Sequence, residues 1–305
     1  MKRIFLAIMA SYLMISGAVA KETITINSYA GHGGNINNLY RLIIDQANTD
    51  QDRYFFTLVP RPGAQGLIAL QDMDQKPMER LAMISAGFVD LYLNDKIKRD
   101  DYVPVNSAGN TCWVVISNKG NTQQGAKSLQ GQKEILVGTV AKGSSAHFTG
   151  LVLGERMGFK TEPVMFKTNT DALMLMSADG SINMVVESPA NYLNWQDRKI
   201  SLHGLGINCP VRNPKLPEMR TLKEQGFDVP SIWAFVVANR AMPDAKRKDM
   251  ALILDQAMRK IGQEQIFQKF DFQVPIFHGQ TTEQHYLQSL TQIEQLRKRF
   301  AKEVN

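Results

Sequence analysis

The chain has 305 residues and a formal charge of +6, with 35 Lys and Arg against 29 Asp and Glu. A chain of this length can bury a sizeable core and divide into two domains. The charge is only mildly basic, and its dense runs are short: Lys96-Ile97-Lys98-Arg99, Lys246-Arg247-Lys248 and Arg297-Lys298-Arg299. Asp100 and Asp101 follow the first run, and Asp244 and Asp249 bracket the second. Each therefore reads as a solvated face rather than as a nucleic-acid site.

Met1 to Ala20 carries Lys2 and Arg3, an apolar run from Ile4 to Gly17, and then Ala18-Val19-Ala20. This order of charged, apolar and small residues predicts a secretory signal peptide cut after Ala20, and export to the periplasm. The apolar run is shorter than the roughly 20 residues that a membrane span needs. Cleavage would remove two basic residues and no acidic one, leaving a charge of +4.

Beyond the leader, short apolar runs alternate with helical patterns, which predicts strand-helix units around largely parallel sheets. Ile24-Thr25-Ile26 leads into Gly31-His32-Gly33-Gly34-Asn35, after which Leu39, Leu42, Ile43 and Ala47 recur at helical spacing. Asn35 and Asn37 are candidate caps of that helix, and Phe55 to Val59 is the next strand. Ile135-Leu136-Val137 leads into a second loop, Gly138 to Ser145, followed by a helix with Phe148, Leu151 and Val152 on one face. Val164 to Phe166, a short helix near Asp171 to Met176 and a strand from Ile182 to Val186 continue the alternation. Met250, Ile253, Leu254, Met258 and Ile261 form one amphipathic stripe, and Leu287, Leu290, Ile293 and Leu296 form another, both expected to face the core. Leu173-Met174-Leu175-Met176 also reads as core. No repeat or low-complexity linker separates the domains, which suggests that the chain crosses between them more than once.

The two cysteines, Cys112 and Cys209, permit one disulfide in an oxidising compartment, with two separately buried thiols as the alternative. A bond would close a loop of about 98 residues, worth at most about 4.7 kcal/mol on the chain-entropy model. Two thiols do not make a structural zinc site by themselves.

The two glycine loops carry the chemistry. Each sits where a strand turns into a helix, so each can aim unpaired backbone N–H groups and a helix N-terminus at an anion. The second loop approaches a phosphate-binding pattern, with Gly138 and Gly143 five apart, but Lys142 precedes the second glycine instead of following it. A nucleophile elbow on Ser145 would need glycine at His147, and one on Ser144 would need glycine at Lys142. What remains is capture of a small anion, with Ser144 and Ser145 as cap and donors and Lys142 as an added charge. His32 is a further candidate donor, the alternative being an exposed turn residue. His203 reads as structural.

These residues resemble the solute-binding receptors of tripartite tricarboxylate transporters, the Bug receptors. The likeness rests on the order and spacing of Arg61-Pro62-Gly63-Ala64-Gln65-Gly66, the loop ending in Gly143-Ser144-Ser145-Ala146-His147, Phe166-Lys167, Ile182 to Glu187, and Leu216 to Gly226. It implies an α/β fold of the two-domain periplasmic binding protein kind, type II-like, with crossover hinge strands. Its layout places one domain at 21–109 with 212–305 and the other at 110–211, with Cys112 and Cys209 near the crossovers and close enough to bond.

The resemblance further implies a monomeric receptor, not an enzyme and without cofactor or metal, that closes on a small organic carboxylate. Such a receptor presents its ligand to membrane transporter subunits; a sensor that signals to a membrane kinase is the alternative. Carried over, the ligand set is Ser28, Tyr29, Gly31, His32, Gly33, Gly34 and Asn35 from the first loop. Thr139, Lys142, Gly143, Ser144, Ser145 and His147 come from the second, with Lys167 and Glu187 beside them. The chain departs from the family pattern at Asn37, where aspartate is usual, and at Gln65 and Thr168, where glycine is usual. It also lacks an Asp-Gly-Tyr-Thr stretch near Met78 to Leu81. The extra donors His32 and Lys142 favour a multiply charged acid, whereas Glu187 would suit an amine.

Overall fold

The computed structural model describes residues 20–32, 35–196, 202–209, 211–229, 232–263, 272–273 and 281–304. The expected signal peptide, up to Val19, lies outside these residues, as do Gly33 and Gly34; of Asn35, only the backbone is described. Among the described residues, no helix is long and apolar enough to cross a membrane.

The expected alternation builds two mixed sheets. In the first, strands β1 (Glu22–Ser28), β2 (Tyr54–Pro60) and β3 (Arg80–Ile84) run parallel with β1 in the middle. β10 (Ile232–Asn239), β4 (Tyr102–Thr111) and β11 (Phe272–Gln273) extend it by antiparallel pairing, giving the order β11-β4-β10-β3-β1-β2. In the second, β6 (Glu134–Thr139) lies between parallel β7 (Lys160–Met165) and β8 (Met184–Glu187). Antiparallel β5 (Trp113–Ser117) and β9 (His203–Asn208) complete the order β7-β6-β8-β5-β9. Thus the middle strand of each parallel trio, one place in from the edge of its sheet, leads into one of the two glycine loops.

The helices cover these sheets because their apolar residues recur on one side. α1 (Asn35–Asp50) buries Leu39, Tyr40, Ile43 and Ala47 against α7 (Asp244–Gln263), which contributes Met250, Ile253, Leu254, Met258 and Ile261. Full burial of each large aliphatic side chain is worth about 1.5–3 kcal/mol. α2 (Leu67–Gln75) and α3 (Gly87–Leu93) lie on the first sheet's other side, with α8 (Thr282–Arg299) and the short α9 (Ala301–Val304). α4 (Ser145–Met157), α5 (Asn169–Asp179) and α6 (Pro189–Gln196) belong to the second sheet.

Two apolar readings need correction. Leu290, Ile293 and Leu296 of α8 are buried, but Leu287 is 47 % exposed because it falls off the α8 face that meets β4. Leu173 and Met176 are core, while Met174 and Leu175 are exposed, since α5 offers only one side to its sheet. Thr168 caps α5 in a capping box with Asp171, so the residue standing in place of glycine stabilises the helix start.

The chain leaves the first sheet after β4 and returns after β9. Cys112 follows β4 directly and Cys209 follows β9, and the two form a disulfide with their Cα atoms 4.9 Å apart. It ties the outgoing crossover to the returning one. The Leu216 to Gly226 segment is held against β9 by a Thr221–Ile207 bridge. Buried Gln225 also accepts from the Ala126 N–H at 2.9 Å and donates to the Leu205 carbonyl at 3.0 Å. That motif braces the second sheet.

Candidate functional site

The second glycine loop is held from below by the helix it starts. Gly138 allows α5 to approach, since a Cβ there would stand 2.5 Å from Ala172 Cβ. The chain then turns, and Gly143 takes a φ of +69°, in the left-handed region that favours glycine. Its N–H donates to His147 Nδ1 at 2.9 Å. Ser144 is the N-cap of α4: its Oγ accepts from the His147 N–H at 3.4 Å and lies 2.5 Å from Thr139 Oγ1. Because Nδ1 accepts, the proton of neutral His147 is on Nε2. Nε2 is buried and has no hydrogen-bond partner among the described residues. Burial first, and then the Lys142 and Arg297 charges, push the imidazole pKa down to about 4. None of these contacts pairs a serine hydroxyl with an imidazole nitrogen, so they assemble no nucleophile and base.

The first loop is pinned by different chemistry. Ser28 Oγ donates to Asn37 Oδ1 at 2.5 Å and accepts from the Ala30 N–H at 3.1 Å. Asn37 Nδ2 in turn donates to the carbonyls of Ala30, at 3.1 Å, and Gly31, at 2.6 Å. An ionised aspartate at this position could make neither donation. Tyr29, which shares a hydrogen bond with Ser85, has its phenol pushed up to about 12 by burial.

A third loop completes the site. Gly63, Ala64, Gln65 and Gly66 all have positive φ, an unusual conformation for the alanine and the glutamine. This turn presses Gln65 against Gly87 at the start of α3, where an added Cβ would stand 2.9 Å from Gln65 Cβ. Gln65 Nε2 donates to Asp90 Oδ2 at 2.9 Å. Asp90 also forms a buried ion pair with Arg297 of α8. Burial outweighs both partners and pushes the Asp90 carboxyl up to about 6. Arg297 also covers the second loop, because a Cβ on Gly143 would collide with its guanidinium. The Arg297 side chain is only 11 % exposed, which corrects the solvated-face reading at that residue. Its neighbour Arg299 is half-exposed and pairs with Glu155 of α4.

Between the sheets these loops enclose a cleft of about 300 Å³, at the small end of the range for small-molecule sites. Tyr29, Gln65, Ser85 to Gly87 and Asp90 form one side, Val140 to Ala146, Asn169 and Val186 form the other, and Trp113 stands at the crossover. Of the expected ligand residues, Tyr29, Lys142, Gly143, Ser144 and Ser145 come together here. Ser28, Thr139 and His147 are buried supports that do not line the cleft. Gly31, His32 and Lys167 are exposed outside its lining. Glu187 is buried and spends its carboxylate on Thr170 Oγ1, at 2.9 Å, and the Ser188 N–H, at 2.6 Å.

The lining residues absent from the sequence-derived set are Gln65, Ser85 to Gly87, Asp90, Trp113, Val140, Ala141, Ala146, Asn169 and Val186. Gln65, Val140, Ala141, Ala146 and Val186 fall within motifs that the sequence singles out, whereas Ser85 to Gly87, Asp90, Trp113 and Asn169 carry no local signal. On two of these residues, Trp113 Nε1 and Asn169 Oδ1 are buried without a hydrogen-bond partner among the described residues, a condition that buried polar groups rarely tolerate. Among the described residues, no cluster of three His, Cys, Asp or Glu side chains could hold a metal ion.

No protein-family model and no curated protein matches the sequence. Solved structures do match in fold. A TctC solute-binding protein from Polaromonas, without ligand, superposes with a TM-score of 0.68 at 18 % identity, covering 91 % of this chain and 98 % of that one. The periplasmic binding protein BugD gives 0.71 at 16 % identity, covering 92 % and 97 %. An R. palustris protein with adipate gives 0.72 at 17 % identity, covering 90 % and 96 %. The chain therefore has the α/β fold of periplasmic solute-binding proteins of the TctC and BugD kind.

Proposed function

We propose that this protein is an exported receptor that closes on a small carboxylate and presents it to the membrane subunits of a tripartite transporter. The observation that carries the reading is the cleft wall at the start of α4. There Lys142, Ser144 and Ser145 converge beside a helix N-terminus, facing the Tyr29 and Gln65 wall of the other sheet. Each charge-assisted hydrogen bond contributes about 1.5–3 kcal/mol, so a few reach the roughly 8 kcal/mol of micromolar binding. The adipate held by a protein of the same fold supports the same class of ligand. The moving bodies in this reading are residues 21–109 with 212–305 and residues 110–211, hinged at the crossovers that the disulfide joins.

Mass spectrometry of ligand released from the purified protein, followed by a thermal-shift screen of carboxylic acids, tests the proposal. An acid at about 100 times its dissociation constant stabilises by about 2.7 kcal/mol, a readily visible shift. A screen silent for acids and positive for sugars overturns the reading.

A further inference from the structure

The charges in the cleft suit one carboxylate, not several. Among the described lining residues Lys142 is the only cation and Asp90 the only anion. Asp90 is already matched by Arg297, which is not part of the lining, and by Gln65. His32, which the sequence suggested as a further cationic donor, is exposed outside the cleft. A ligand carboxylate placed at Lys142 and Ser145, beside the α4 N-terminus that Ser144 caps, therefore lies at the charged end of that wall.

Away from those donors the walls carry no further cation: Tyr29, Gln65, Ser85, Asn169 and the Trp113 indole are neutral, and the rest, Asp90 apart, is apolar. Val186 of β8 and Trp113 of the adjacent strand β5 stand with Val140, Ala86 and Ala146. A second carboxylate on the ligand would meet these side chains, the Asp90 oxygens or neutral polar groups and no second cation, and a desolvated charge without a charged partner is costly. Apolar atoms in the same place gain burial instead.

We propose that the cleft selects a small acid carrying one carboxylate on an apolar body, the body lying against Trp113, Val140 and Val186. This rests on the carboxylate reading above and narrows its ligand class, replacing the multiply charged acid that the sequence favoured.

Calorimetric titration of the purified protein with five probes tests it: hexanoate and benzoate, adipate and malate, and acetate. The expected result is that hexanoate or benzoate binds at least about tenfold tighter than adipate, malate and acetate, because the diacids bury an unmatched charge and acetate lacks the apolar body. Adipate or malate binding as tightly as the best monocarboxylate overturns the proposal while leaving the carboxylate reading in place, and so does acetate matching the larger acids. If none of the five binds, the carboxylate reading falls and this proposal with it. Val140 is 45 % exposed, so Val140→Lys can add a second cation without disturbing the core. The variant is expected to shift the adipate-to-hexanoate affinity ratio toward adipate by a few-fold, the weight of a partly exposed ion pair, and an unchanged ratio counts against the proposal.

Discussion

The loops after β1 and β6 occupy equivalent places, each leaving the middle strand of a parallel trio, yet they are held by opposite means. In the first, Asn37 donates to two loop carbonyls. In the second, His147 accepts from a loop amide. The first loop sends Tyr29 into the cleft while Gly31 and His32 stay outside, whereas the second lines the cleft from Val140 to Ala146. A glycine-rich signature thus marks where a loop can turn, and the interior side chain of the following helix decides how it is anchored.

The strongest way to break this comparison is Asn37→Asp. It removes the donors to Ala30 and Gly31 at a fully buried position. Ala30 is half-buried and Gly31 exposed, so water offsets part of the lost bonds, and with the new carboxylate buried urea unfolding should report a loss of about 1–3 kcal/mol. A neutral effect would mean that the first loop is held by something other than Asn37.

Next in size is Gly143→Ala. The left-handed backbone alone costs a non-glycine residue about 1–2 kcal/mol, and the new methyl displaces Arg297 from the loop. Stability should fall by at least that amount, and acid affinity by more than tenfold. Wild-type affinity in a folded variant would remove Gly143 and its Arg297 contact from the binding mechanism.

A pH comparison sharpens the role of His147. Its pKa falls from 6.5 to about 4 on folding, so the unfolded chain takes up this proton first. The stability tied to the neutral ring is fully present above pH 6.5 and is lost progressively as pH falls toward 4. Asp90 works in the opposite sense: its pKa rises from 3.8 to about 6, so its contribution is fully present below 3.8 and declines as pH rises through about 6. Since Asp90 is common to wild type and His147→Gln, the difference between their urea midpoints isolates the histidine. From pH 7 to pH 5 the wild type should lose more stability than the variant. Parallel profiles would contradict a buried neutral imidazole.

The smallest expected effect separates the two loops directly. Lys142 is exposed and lines the cleft, so Lys142→Ala should weaken acid binding a few-fold, or about 0.5–1 kcal/mol. His32→Ala should leave affinity unchanged. Equal losses in the two variants would place both loops on the ligand.

Much of the fold was legible in the sequence because burial repeats locally. Apolar runs marked β1, β2, β6 and β7, and the spacing of Leu39, Ile43 and Ala47 marked α1. The antiparallel strands β4, β9 and β10 were not read, since their identity depends on partners far along the chain. On the site, Lys142, Gly143, Ser144 and Ser145 carried their own motif. Asp90 and Trp113 carried none, and Arg297 was read as part of a solvated cluster.

By itself the sequence determined that two strand-to-helix glycine loops exist and that two cysteines were available. Tertiary structure decided which residues meet: Arg297 crosses to Gly143 and Asp90, Gln65 reaches Asp90, and Trp113 stands between the walls. The physical reason is that backbone conformation and amphipathic spacing are short-range properties of neighbouring residues. An ion pair or a cleft wall instead depends on approach in space, set by how two sheets and a C-terminal helix pack.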